Sequence, residues 1–214
     1  MAQTPVIFWN IDTQYDFVEQ DGDLYVEGAE LLKPLWEEIL SYAREKNIRI
    51  ISTKDHHFLD SDELSDNPDF VDTFPPHCIA FEKGSKSVLS NIEDNGFILD
   101  WDLKMGMVHL KDIYHQNIPI TILKDRFDFT QGNPNSENIL QIIEEKKMYI
   151  MGVAENVCVS QAAIALAKNG FHVTVISDAV KAIPGLSTPY EEWKERGIEM
   201  KRWEEVKEEI KTLF

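Results

Sequence analysis

Met148-Tyr149-Ile150-Met151-Gly152-Val153, followed at once by Ala154-Glu155-Asn156-Val157-Cys158, is the stretch that decides the fold. Its first six residues form an apolar run of strand length. From 156 to 169 apolar side chains recur at helical spacing, with Val159, Ala162, Ala163 and Leu166 on one face and Gly170 as the stop. A buried strand that runs straight into a helix is the repeating unit of an α/β sheet.

The same alternation extends outward in both directions. Residues 5–11, 48–53, 118–123 and 171–177 read as further strands. Residues 28–46 read as a helix with a stripe of Leu31, Leu32, Leu35, Ile39 and Tyr42, closed by Asn47. Asn133-Pro134 opens another, with Ile139, Ile142 and Ile143 as its buried face. The pattern predicts a mostly parallel, three-layer α-β-α sandwich of Rossmann type. One domain is expected over 1–214, with a stretch near 85–116 that reads as short strands or a small insertion and a charged helical tail near 190–214. Trp193 and Trp203 in that tail suit either an interface or packing on the sheet.

Bulk composition narrows the partners. The 214 residues are 43% hydrophobic and 28% charged, with a formal net charge of -17. Such an acidic chain is a poor match for nucleic acid or for an anionic membrane surface. No apolar run reaches the length of a membrane span, and the first residues lack the marks of a signal peptide, so a cytoplasmic protein is expected. The two cysteines, Cys78 and Cys158, are expected to be free thiols.

Ligands of open parallel sheets bind beyond the carboxyl ends of the strands. The reactive residues fall there: Asp12 after the first strand, Asp55 and His57 after the second, Lys124 after the third, and Cys158 in the first turn of the following helix. A helix N-terminus and a nearby lysine both favour a thiolate, and first-turn N–H groups suit an oxyanion. An acid just beyond a buried strand is desolvated, which suits proton transfer. Against this stand ordinary roles: a packed cysteine, a turn-capping Asp12 or Asp16, a solvated lysine. Asp55 and His57 are two apart, so an extended chain points both the same way, and with His77 they form a donor set of metal-site chemistry. The acid-rich loop between them offers Glu63, Asp66 and Asp69 as further oxygen ligands.

Four stretches in this order carry a resemblance: Asp12-Thr13-Gln14-Tyr15-Asp16-Phe17, Asp55-His56-His57, Phe74-Pro75-Pro76-His77-Cys78 and Gly152-Val153-Ala154-Glu155-Asn156-Val157-Cys158-Val159. With Lys124, they resemble the isochorismatase-like cysteine hydrolases, in particular the nicotinamidase/pyrazinamidase branch. The resemblance implies a six-stranded parallel sheet and a non-proline cis peptide between Val153 and Ala154. It implies that Cys158 attacks an amide carbonyl, that Asp12 moves the proton and that Lys124 favours the charged forms. The Ala154 and Cys158 N–H groups would form the oxyanion hole, and Phe17 and Phe74 would flank the substrate ring. Asp55, His57 and His77 would hold a divalent metal, zinc first, with iron or manganese as alternatives. Among the oxygen donors, Asp69 is the preferred fourth ligand. The implied reaction is hydrolysis of nicotinamide to nicotinic acid and ammonia, a step of NAD salvage. Alternatives are another small carbamoyl, ureido or biuret-like amide, or a non-catalytic metal-binding interaction protein. The resemblance also leaves a homo-oligomer open. Glu155-Asn156 departs from the Thr-Asp pair usual in the family.

Overall fold

The structure is a computed structural model that describes residues 5–89 and 96–213. In chain order its elements are β1 (Val6–Ile11), α1 (Tyr15–Val18), α2 (Lys33–Glu45), β2 (Arg49–Asp55), β3 (Phe97–Leu99), α3 (Met107–His115), β4 (Ile120–Lys124), α4 (Phe129–Gly132), α5 (Ser136–Ile142), β5 (Lys147–Val153), α6 (Cys158–Lys168), β6 (His172–Lys181), α7 (Tyr190–Glu195), β7 (Glu199–Lys201) and α8 (Trp203–Lys211). The strands form one sheet in the order β3-β4-β2-β1-β5-β6-β7, with every neighbouring pair parallel. The sheet has seven strands instead of six, because residues 199–201 of the tail add a short edge strand between α7 and α8. Within the region 85–116, β3 forms the opposite edge and α3 follows it; residues 90–95 lie outside the described residues.

Period-two alternation along the central strands builds the two cores. Ile7, Trp9 and Ile11 of β1 join Met148 and Ile150 of β5 on one face, while Val6 and Phe8 join Tyr149, Met151 and Val153 on the other. Each large side chain so buried contributes roughly 1.5–3 kcal/mol. Trp193 packs in the first core and Trp203 in the second, both almost fully buried, so neither is an interface residue on this surface. Their ring N–H groups donate to Ser160 Oγ at 3.0 Å and Glu38 Oε1 at 2.7 Å.

Two helix expectations shift. Residues 29–32 form a 3₁₀ turn ahead of α2, which changes the angular phase and leaves Leu31 73% exposed. The buried stripe of α2 is instead Trp36, Ile39, Leu40 and Ala43. α5 opens at Ser136 and not at Asn133, whose side-chain amide donates to the carbonyls of Leu99, Asp100 and Leu123 and so ties the chain to the sheet. Among the described residues no helix is long and apolar enough to cross a membrane.

Sheet order places the site. The chain starts at β1 in the middle, fills one side through β2, β4 and β3, then returns to fill the other through β5, β6 and β7. The switch point lies between β1 and β5, where a crevice opens at the strand carboxyl ends.

Candidate active site

β1 and β5 approach closely below this crevice: a Cβ on Gly152, at φ +122°, would stand 2.0 Å from the Ile11 carbonyl oxygen. Only glycine fits there. Just above, the Val153–Ala154 peptide is cis, as expected. The Ala154 carbonyl accepts from the Val157 and Val159 N–H groups, which folds the chain back so that Cys158 begins α6. As a first-turn residue, Cys158 has a backbone N–H with no intrahelical acceptor.

Asp55 and Lys124 are register partners at the ends of β2 and β4, which brings their side chains together. Lys124 Nζ donates to Asp55 Oδ1, lies 2.9 Å from Asp12 Oδ2 and 3.8 Å from Cys158 Sγ. Thr53 Oγ1 donates to Asp12 Oδ1 at 2.6 Å. All four of Asp12, Asp55, Lys124 and Cys158 are buried. Burial alone would pull the Lys124 ammonium down, but Asp12 and Asp55 outweigh it and hold it well above the ordinary lysine value. Burial pushes the Asp12 carboxyl up; Lys124 opposes this and Asp55 adds to it. Burial also opposes the charge on Asp55, yet Lys124 and His57 keep it well below the usual carboxylate range. The Cys158 thiol is pushed well up by burial, against Lys124, with Asp12 and Asp55 adding to the rise. Burial first, and then the two carboxylates in the same space, favour the neutral thiol over a standing thiolate.

The metal-type donors also meet. Asp55, His57 and His77 are buried, and one donor atom from each lies within 4.8 Å of the others. Asp55 Oδ2 is 3.7 Å from His57 Nε2 and 3.6 Å from His77 Nε2. Ligands about 2.1 Å from a common centre stand about 3.4 Å apart in a tetrahedral shell, so the spacing fits a bound cation better than direct hydrogen bonds. His77 Nδ1 is 2.7 Å from the Pro75 carbonyl, which leaves Nε2 facing Asp55 as a bare lone pair in the neutral ring. The intervening His56 turns away to pack on Phe58 and Phe81, as alternation along an extended chain requires.

The loop acids separate. Asp69 is exposed and spends Oδ1 on the N–H groups of Val71, Asp72 and Thr73, so it forms its own turn and does not reach the site. Asp66 is exposed as well. Glu63 is the acid that turns inward: its Oε2 accepts from Phe127 N–H at 2.7 Å, and burial, with Asp55 adding, pushes its carboxyl up to about 8.

Asp55, Glu63, His77 and Cys158 line a narrow cavity with Phe17, Phe74, Phe127, Leu24 and Ile183. Phe17 and His77 have ring centroids 5.1 Å apart, and Phe74 lies 6.4 Å from both His77 and Phe127. Phe127 and Ile183 escaped the sequence reading, although both follow strand carboxyl ends and the rule that located the other residues also covers them. The remaining motif residues are braces. Gln14 donates to the Asp55 carbonyl and accepts from the Asp55 N–H, at 2.8 and 2.7 Å. Asp16 accepts from Cys78 N–H at 2.6 Å, next to His77.

Residues 111–200 match the isochorismatase domain family. The chain is 22% identical over 195 residues to the nicotinamidase/pyrazinamidase of Mycobacterium tuberculosis, covering 89% of this chain and 95% of that one. Its fold resembles the zinc complex of Pyrococcus horikoshii pyrazinamidase, with a TM-score of 0.69, 24% identity and coverage of 93% and 99%. It also resembles N-carbamoylsarcosine amidase from Thermoplasma acidophilum, with a TM-score of 0.67, 16% identity and coverage of 92% and 95%. At these identities the structural likeness speaks for the fold. In this chain the Cys158–Lys124–Asp12 group and the His57–His77–Asp55 group share Asp55's neighbourhood and open on one cavity.

Proposed function

We propose that the protein hydrolyses a small amide through a thioester on Cys158, and that nicotinamide is the substrate. The observation that carries this reading is Lys124, set between Asp12 and Asp55 and 3.8 Å from Cys158 Sγ, beside a cavity of aromatic rings. Asp55, His57 and His77 would hold a divalent metal, zinc ahead of iron or manganese. When bound, that ion would supply a Lewis-acid contact for a ring nitrogen. Phe17, Phe74 and Phe127 offer the faces and edges between which a flat ring packs.

The chain's own residues carry out the bond changes. Asp12 accepts the Cys158 proton as sulfur adds to the amide carbon. Its upward shift brings it toward the range where a carboxyl exchanges protons, and Lys124 keeps it an acceptor at neutral pH. The N–H groups of Ala154 and Cys158 steady the negative oxygen. The C–N bond breaks, Asp12 returns the proton to nitrogen, and ammonia departs. Water then adds to the thioester carbon, releasing the acid and restoring the thiol.

The test is ammonia release from nicotinamide by zinc-loaded protein beside Cys158→Ala. Release that vanishes in the variant supports both substrate and nucleophile. Absence of release from metal-loaded protein removes nicotinamide. N-carbamoylsarcosine is the next amide to try, given the shared fold of its amidase. A thiol inert to alkylation at neutral pH would favour a non-catalytic interaction protein.

A further inference from the structure

Glu155 and Asn156, just ahead of Cys158, both reach the segment that follows β6. Asn156 Nδ2 donates to the carbonyls of Ile183 and Leu186, each at 2.9 Å, and Asn156 Oδ1 accepts from Ile183 N–H at 3.0 Å. The amide orientation is dictated by its partners, two acceptors on one side and a donor on the other. One residue earlier, Glu155 N–H donates to the Lys181 carbonyl at 2.7 Å, and Tyr190 Oη donates to Glu155 Oε1 at 2.5 Å. Residues 182–189 have no helix or strand of their own. Ile183 is half-buried and forms part of the cavity wall with Val157, Cys158 and the aromatic rings.

We infer that Asn156 is a positioning residue for substrate selection: its side chain holds Ile183 against the cavity and so sets the size of ring amide that reaches Cys158. An aspartate at this position keeps the shape but offers only acceptors. Two carbonyl oxygens would then face a carboxylate, and both Nδ2 bonds are lost. The glutamate–tyrosine bond would still tether the turn, so the wall segment is what moves. This inference rests on the reading of the cavity as an amide-hydrolase site.

The test compares Asn156→Asp and Ile183→Ala with wild type in two assays. In turnover of nicotinamide, KM rises about tenfold in both variants while kcat falls less than about threefold, the scale at which small apolar contacts discriminate substrates. In alkylation of Cys158, with Cys158→Ala as blank, the rate ratio of N-phenyliodoacetamide to iodoacetamide rises about tenfold in both, because the slot has widened. The second assay needs no turnover, so a wild type inactive on nicotinamide removes that substrate and leaves this inference under test. An unchanged ratio in Asn156→Asp overturns it. So does a parallel collapse of kcat and iodoacetamide rate, which would mean that Asn156 supports the nucleophile turn itself. If Asn156→Asp fails to fold, an unchanged ratio in Ile183→Ala overturns it alone.

Discussion

β2 carries a buried ion at each end, and the two ends differ in kind. At its start, Arg49 lies 3.8 Å from the centre of the Tyr114 ring and 3.6 Å from Glu145 Oε1, while Tyr114 Oη donates to Glu145. Among the described residues that group pairs one cation with one carboxylate beside an aromatic face. At its end, Asp55 shares the single cation Lys124 with Asp12, two carboxylates to one ammonium, and the group opens on the cavity. In the first cluster these two charges balance. The unbalanced one keeps an excess of negative charge beside two imidazoles, which is what a divalent cation and a proton-transfer site both need.

Five measurements sharpen or break this contrast. Cys158→Ala should lower ammonia release by at least about 10⁴-fold with little change in the thermal midpoint, since a thiol nucleophile acts as a unit with its base. Retained turnover would move the chemistry away from the open cluster. Arg49→Met should destabilise the fold by about 3–5 kcal/mol in urea titration, because Glu145 stays buried without its cation. Its KM should match wild type. Lys124→Met should instead cut kcat about 10³-fold, the scale for removing a stabilising charge from a site. If Arg49→Met cut kcat in fully folded protein, the two ends would not divide into structure and chemistry.

His77→Ala should weaken zinc binding by more than about 100-fold, read by metal analysis after dialysis, while Cys158 still alkylates. The smallest effect belongs to the surface counterpart, where one carboxylate sits between two lysines. Glu209 lies 2.6 Å from Lys147 Nζ and 2.8 Å from Lys201 Nζ. Partial burial opposes its charge, but the lysines pull its carboxyl down to about 2. A carboxylate with a lowered folded value stabilises above its unfolded range and loses that contribution as pH falls through about 2. Glu209→Gln should therefore cost on the order of 1 kcal/mol at neutral pH after solvent screening. The difference from wild type should close toward pH 2.

The five long strands, their parallel pairing and the positions of Asp12, Asp55, Lys124 and Cys158 at one edge were legible in the sequence. Each follows from local periodicity plus one rule about strand ends, and neither needs knowledge of distant partners. The same holds for His57 and His56, whose opposite directions follow from alternation. What the tertiary structure decided lies in loops and at element boundaries. Glu63 turns inward and Asp69 outward because of the Phe127 N–H on one side and a self-contained turn on the other. Leu31 leaves the buried stripe because a 3₁₀ turn precedes α2. Phe127 and Ile183 join the cavity through backbone segments held by Glu63 and Asn156. Residues 199–201 became a strand because β6 presents an edge beside them. Side-chain direction in a strand is set by its own repeat of two, whereas a loop side chain points where bonds to residues far along the chain take it.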